Sequence, residues 1–106
     1  MIRVCFVEDS PAGFNALRIL LQESPLIELA GMYSTGEAFI NEYAFTMPDI
    51  AIIDLVLPGI SGIEVIYTIK AAFPDARLLV LTVRDDEEMI FKALKAGAGG
   101  DLLKSG

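Results

Sequence analysis

The sequence predicts an α/β domain, a doubly wound five-stranded parallel sheet with helices between its strands. Three observations predict it. Short apolar runs alternate with helically periodic segments along the whole chain. The runs are nearly continuous rather than alternating, as strands covered on both faces are. The chain has 106 residues, enough for one core, and shows no repeat, low-complexity tract or interdomain linker, so residues 1–106 read as one domain.

Each element has its own signal. Residues 3–7 form the first strand. Residues 12–23 form a helix with Phe14, Leu17, Leu20 and Leu21 on one face. Residues 27–31 give a short second strand. Ser34-Thr-Gly-Glu37 has the form of a capping box and opens a helix to about Phe45. Residues 50–54 are the third strand. Ser61-Gly-Ile-Glu64 is a second capping box, whose helix ends near Phe73 before Pro74. Residues 78–82 are the fourth strand. Asp85 caps a helix carrying Met89, Ile90, Ala93 and Leu94 toward the core and stopping at Gly97. Residues 100–103 are the fifth strand.

Composition excludes several functions. The net charge of −7 repels nucleic acid and anionic membranes, so direct nucleic acid binding is not expected. Apolar residues make up 54% and mean hydropathy is +0.55, yet no apolar run approaches the ~18 residues of a membrane span. There is no histidine, hence neither the commonest general base nor the commonest zinc ligand. Cys5 is the one cysteine, so no internal disulfide forms, and a reducing cytoplasm is the expected location. Cys5 sits in an apolar run and reads as a buried filler.

Chemistry collects at the strand ends. In an open parallel sheet, ligands bind beyond the carboxyl ends of the strands. The first strand is followed there by Glu8 and Asp9; the third ends in Asp54, the fourth in Thr82, and the fifth leads to Lys104. A single polar residue at a strand end is ordinary, because such ends meet water. Four strands with matching residue types are not. Clustered carboxylates repel, and a hard divalent cation with oxygen ligands, Mg²⁺, relieves that. Thr82 and Lys104 supply a hydroxyl and an ammonium for phosphate oxygens. Asp54 can then act as a nucleophile toward phosphorus. No glycine-rich phosphate loop is present; Gly97-Ala-Gly-Gly100 follows a helix and reads as a stop.

"VEDS" (7–10), "IIDLVLPGISG" (52–62), "VLTV" (80–83) and "KAGAGGDLLK" (95–104), in that order, resemble the receiver domain of two-component response regulators, nearest to receivers of the NarL/LuxR type. The resemblance implies a flavodoxin-like sheet in the order 2-1-3-4-5. It makes Asp54 the phosphoacceptor. It places Mg²⁺ on Asp9, Asp54 and the Val56 carbonyl, with Glu8 acting through water. It gives Thr82 and Lys104 the phosphoryl oxygens. It implies a histidine kinase as donor and a DNA-binding output domain outside this chain.

The sequence departs from the family at several positions. Asp101 stands where an aromatic switch residue is usual, three residues before the lysine; it either disables the Thr–aromatic switch or points to water on an edge strand. Val83 replaces a usual Ala, and Ser105 a usual Pro. The family's fifth helix follows the lysine, whereas this sequence stops at Gly106, so that helix is expected to be absent. The sheet face it would share with the first helix is then expected to be covered by a homodimer mate, by a domain-swapped element or by a further segment.

The sequence thus predicts a phosphoacceptor switch that relays to an output domain or dimer partner in transcriptional regulation, not a turnover enzyme. An alternative is a phosphate-independent receiver-like interaction module, favoured by Asp101. A Mg²⁺-dependent phosphohydrolase is disfavoured, because such enzymes place D-x-D where this chain has Glu8-Asp9-Ser10.

Overall fold

The computed structural model describes residues 1–82 and 87–103. The elements follow one another as β1 (Ile2–Val7), α1 (Pro11–Gln22), β2 (Ile27–Tyr33), α2 (Gly36–Thr46), β3 (Ile50–Asp54), α3 (Gly62–Ala72), β4 (Leu78–Thr82), α4 (Glu87–Ala96) and β5 (Gly100–Leu103). The strands form one sheet in the order β2-β1-β3-β4-β5, with every pairing parallel. Five strands, four helices and the expected order are therefore all present.

The two sheet faces are covered differently. Helices α2, α3 and α4 pack side by side. Beneath them lie Cys5, Val7, Ala51, Ile53, Leu78 and Val80, which cluster with Phe39, Val65, Ile66, Ile69, Ala93 and Ala96. At roughly 25 cal/mol per Å² of apolar surface, burial of this kind is the main favourable contribution to folding. Tyr33, Phe39, Tyr43 and Phe73 add a chain of tilted and edge-on rings with centroids 5.6, 5.5 and 4.7 Å apart, the spacing at which aromatic pairs attract.

On the opposite face lies α1, which has no fully buried residue. Phe14, Leu17 and Leu21 are half-buried, while Ile19 and Leu20 are exposed. Leu20 is thus not the core residue expected; it follows Leu17 by one turn but lies outside the stripe defined by Phe14, Leu17 and Leu21. Leu94 is likewise exposed, whereas Met89 and Ile90 are half-buried and Ala93 is buried, so only part of the expected α4 stripe reaches the core.

Capping follows local chemistry with one shift. Ser61 accepts from the Glu64 amide at 3.2 Å, as its sequence box requires. For α2 the cap is Thr35 rather than Ser34: its hydroxyl accepts from the Ala38 amide at 3.1 Å. Gly36 then lies directly against Val65 of α3, where a Cβ would clash. No described helix is long and apolar enough to cross a membrane.

Candidate phosphoryl and metal site

Sheet register brings the acidic residues together. Val7 of β1 stands beside Ile53 of β3. The residues that follow, Glu8 and Asp54, therefore emerge side by side at the carboxyl edge, with Asp9 next to them. Carboxylate oxygens of Glu8, Asp9 and Asp54 all lie within 4.8 Å of one another. Glu8 is 0% and Asp54 4% exposed, while Asp9 is open to solvent. Two carboxylates are thus held in the protein and one at its rim.

Backbone amides hold the buried pair. The Ser10 amide donates to Glu8 Oε1 at 3.1 Å, and the Val56 amide donates to Asp54 Oδ1 at 3.0 Å. Ser10 itself caps α1, its hydroxyl accepting from the Gly13 amide at 3.3 Å, and Pro11 follows at the first helical position. The N-terminus of α1, with its partial positive charge, therefore faces the side of the cluster where Glu8 lies. Main-chain bonds fix the strand ends: the Glu8 amide donates to the Tyr33 carbonyl at 3.0 Å, and the Leu55 amide to the Leu81 carbonyl at 3.2 Å.

Two glycines that sequence reasoning passed over shape the site. A Cβ on Gly13 would stand 3.1 Å from Glu8 Cδ. A Cβ on Gly62 would strike the Asp54 carbonyl and the Leu55 backbone, and the Gly62 amide donates to the Leu55 carbonyl at 3.0 Å. Their only signal in the sequence is a glycine in the first turn of a helix that follows a strand-end carboxylate. In the loop between β3 and α3, Gly59 has φ +75°, the left-handed region open to glycine, and lies against the Glu37 carboxylate.

The cluster fits a hard divalent cation. All its donors are carboxylate oxygens, the type Mg²⁺ prefers. Oxygens bound to one Mg²⁺ at ~2.1 Å stand ~3 Å apart when adjacent and ~4.2 Å when opposite, so oxygens within 4.8 Å of one another would draw in by roughly 0.6 to 1.8 Å at the widest pair.

The remaining expected residues are placed only in part. Thr82 ends β4 beside Leu103 of β5, and Asp101 pairs with Val80 in the same ladder. The side chains of Thr82 and Asp101 lie outside the described part of the structure, as do residues Val83, Asp85, Lys104 and Ser105. Val56 is exposed, with its amide turned to Asp54.

The family model for the response regulator receiver domain matches residues 4–106. The transcriptional regulatory protein YxjL of Bacillus subtilis is 33% identical over 97% of this chain and 47% of its own length. The nitrate/nitrite response regulator NarL of Escherichia coli is 32% identical over 95% of this chain and 47% of its own length. The chain thus spans about half the length of these curated relatives. Among solved structures, the isolated receiver domain of RcsB from Salmonella enterica with the phosphomimetic BeF₃⁻ superposes with a TM-score of 0.89 at 27% identity. The match covers 99% of this chain and 78% of that one.

Proposed function

The chain belongs to the response regulator receiver domain family of two-component systems, among relatives of the NarL/LuxR type, and from that premise we propose that it is a phosphoacceptor switch with Asp54 as its acceptor. The carrying observation is the buried Asp54 carboxylate, its Oδ1 held by the Val56 amide, beside Glu8 and Asp9 at one sheet edge.

In the proposed reaction an Asp54 oxygen attacks the phosphorus of a phosphohistidine on a histidine kinase. The O–P bond forms, the P–N bond breaks, and the imidazole leaves with the electron pair and takes up a proton. Mg²⁺ held by Asp9, Asp54 and the Val56 carbonyl, with Glu8 behind them, would offset the carboxylate charge and the charge gathering on the phosphoryl oxygens. The Val56 amide orients the Asp54 carboxylate through its Oδ1. Thr82 and Lys104 take the phosphoryl oxygens in this reading. The domain promotes its own phosphorylation and hydrolysis without turning over a separate substrate. Asp101 stands where the family's usual aromatic partner of Thr82 would be, which puts the Thr–aromatic switch in question for this chain. Support for a phosphate-responsive state comes from RcsB, whose receiver domain was solved with a phosphate mimic.

The proposed partners are a histidine kinase as donor and a DNA-binding output domain, both in the cytoplasm. The proposed homodimer or domain-swapped dimer forms through the sheet face that carries α1, beside exposed Ile19 and Leu20. Sedimentation should show concentration-dependent association that Ile19→Lys/Leu20→Lys abolishes; a monomer at every concentration would exclude it.

The reading is tested by intact mass after incubation with acetyl phosphate and Mg²⁺. A phosphoryl adduct should appear on the wild type and not on Asp54→Asn. An adduct that survives this substitution would place the chemistry on another residue.

A further inference from the structure

Helices α3 and α4 pack against each other, and between them opens a hollow of about 260 Å³ lined by Ile63, Tyr67, Lys92 and Lys95. Ile63 and Tyr67 are one turn apart on α3, and Lys92 and Lys95 three residues apart on α4, so each pair shares a helix face. The hollow exceeds the roughly 150 Å³ that holds a benzene ring, so it admits one leucine- or phenylalanine-sized side chain.

Its rim is cationic in a chain of net charge −7. Lys92 meets Glu88 at 3.5 Å, with both side chains mostly exposed. Such a pair is weak, and an incoming carboxylate can replace Glu88. Lys95 stands 5.3 Å from the Phe91 ring centroid and forms no ion pair among the described residues. Two of the other described basic groups are committed elsewhere: Arg3 donates to the Thr46 and Met47 carbonyls, and Lys70 to those of Pro74 and Ala76. Exposed Tyr67 and Phe91 add apolar surface beside the two ammonium groups.

We propose that this hollow docks a short acidic segment of another protein. One apolar side chain of that segment sits between Ile63 and Tyr67, and flanking carboxylates meet Lys92 and Lys95. Charge complementarity selects the partner. Two lysines satisfy two or three carboxylates, whereas an extended polyanion such as nucleic acid would run onto the negative remainder of the surface. The proposal is independent of chemistry at Asp54.

Phage-displayed random dodecapeptides provide the test. Selection on the whole chain, with counter-selection on Lys92→Glu/Lys95→Glu, should enrich Glu and Asp around one Leu, Ile or Phe. The leading peptide, titrated into isotope-labelled protein, should saturably shift the amides of Tyr67, Lys92 and Lys95. Lys92→Gln and Lys95→Gln should each weaken binding by about threefold, as exposed pairs do. A Glu-to-Lys version of the peptide should prefer the Lys92→Glu/Lys95→Glu protein, an inversion that a purely structural role for the lysines would not produce. If that double variant fails to fold, Tyr67→Ala at its exposed position should show the same loss. Enrichment of basic or uncharged peptides, shifts centred elsewhere, indifference to the lysines, or displacement of the peptide by single-stranded oligonucleotide would each overturn the proposal.

Discussion

Gly13 in the first turn of α1 lies directly against the buried side chain of Glu8, and a Cβ placed on it would sit 3.1 Å from Glu8 Cδ. Two effects of Gly13→Ala then oppose each other. Alanine favours the helix by about 1 kcal/mol. Crowding pushes the Glu8 carboxyl from its place beside Asp54. Stability should therefore change by less than about 1 kcal/mol while Mg²⁺ affinity falls about tenfold, the lower end for groups that orient metal ligands. Calorimetric Mg²⁺ titration of both proteins decides this; equal affinities would remove Gly13 from the site.

Gly62→Ala should behave oppositely, as a loss of stability. On helix propensity alone it would gain up to about 1 kcal/mol. Its Cβ, however, meets the Asp54 carbonyl and the Leu55 backbone, and main chain does not yield as a side-chain tip does. A net loss of about 2 kcal/mol is expected, as for overpacked sites. Urea unfolding reads it, and a stabilised variant would show that β3 and α3 are less closely apposed.

These two glycines show where sequence reasoning stops. The meeting of Glu8, Asp9 and Asp54 was legible, because residues at the carboxyl ends of parallel strands gather at one sheet edge; the strand order came from the resemblance to receiver domains. Pro58-Gly59 is itself a turn signal, and Gly59 has φ +75° there. The partners of Gly13 and Gly62 depend on how each helix settles against a strand end, and helical periodicity carries no trace of that. Ser34 is the better cap in isolation, yet Thr35 is the residue that caps α2. Leu20 and Leu94 fit an apolar stripe by spacing, yet both lie at its margin and are exposed.

Cys5 predicts an alkaline limit to stability. It is fully buried in β1, and burial pushes its thiol from 9.0 to about 11, with Arg3 opposing in part. Below pH 9 the thiol is protonated in both folded and unfolded chains and adds no pH dependence. Between about pH 9 and 11 the unfolded chain releases the proton while the folded chain retains it, so stability falls as pH rises. Tyr43, whose hydroxyl is raised chiefly by burial, adds a decline of the same sign. Two pH units correspond to about 3 kcal/mol at most. Cys5→Ala should flatten this decline in urea melts from pH 8 to 11. The native thiol should also resist disulfide reagents at pH 8 until denaturant is added; rapid labelling of the folded protein would contradict the burial.

Asp54→Asn separates charge from geometry at the site. The asparagine oxygen can still accept from the Val56 amide, which holds Asp54 Oδ1 at 3.0 Å, so the loop keeps its anchor. What changes is one negative charge among three carboxylates within 4.8 Å. Without divalent metal, the repulsion should make the wild type the less stable protein, by about 1 kcal/mol. With Mg²⁺ at ten times its dissociation constant, the wild type should gain ~1.4 kcal/mol by mass action, and the variant, having lost a ligand, much less. The order of stability therefore reverses as Mg²⁺ is added, and the same ionic strength supplied as sodium chloride should not reproduce the reversal, since buried charges are poorly screened. Parallel unfolding curves for the two proteins across the Mg²⁺ series would mean that the cation binds away from Asp54.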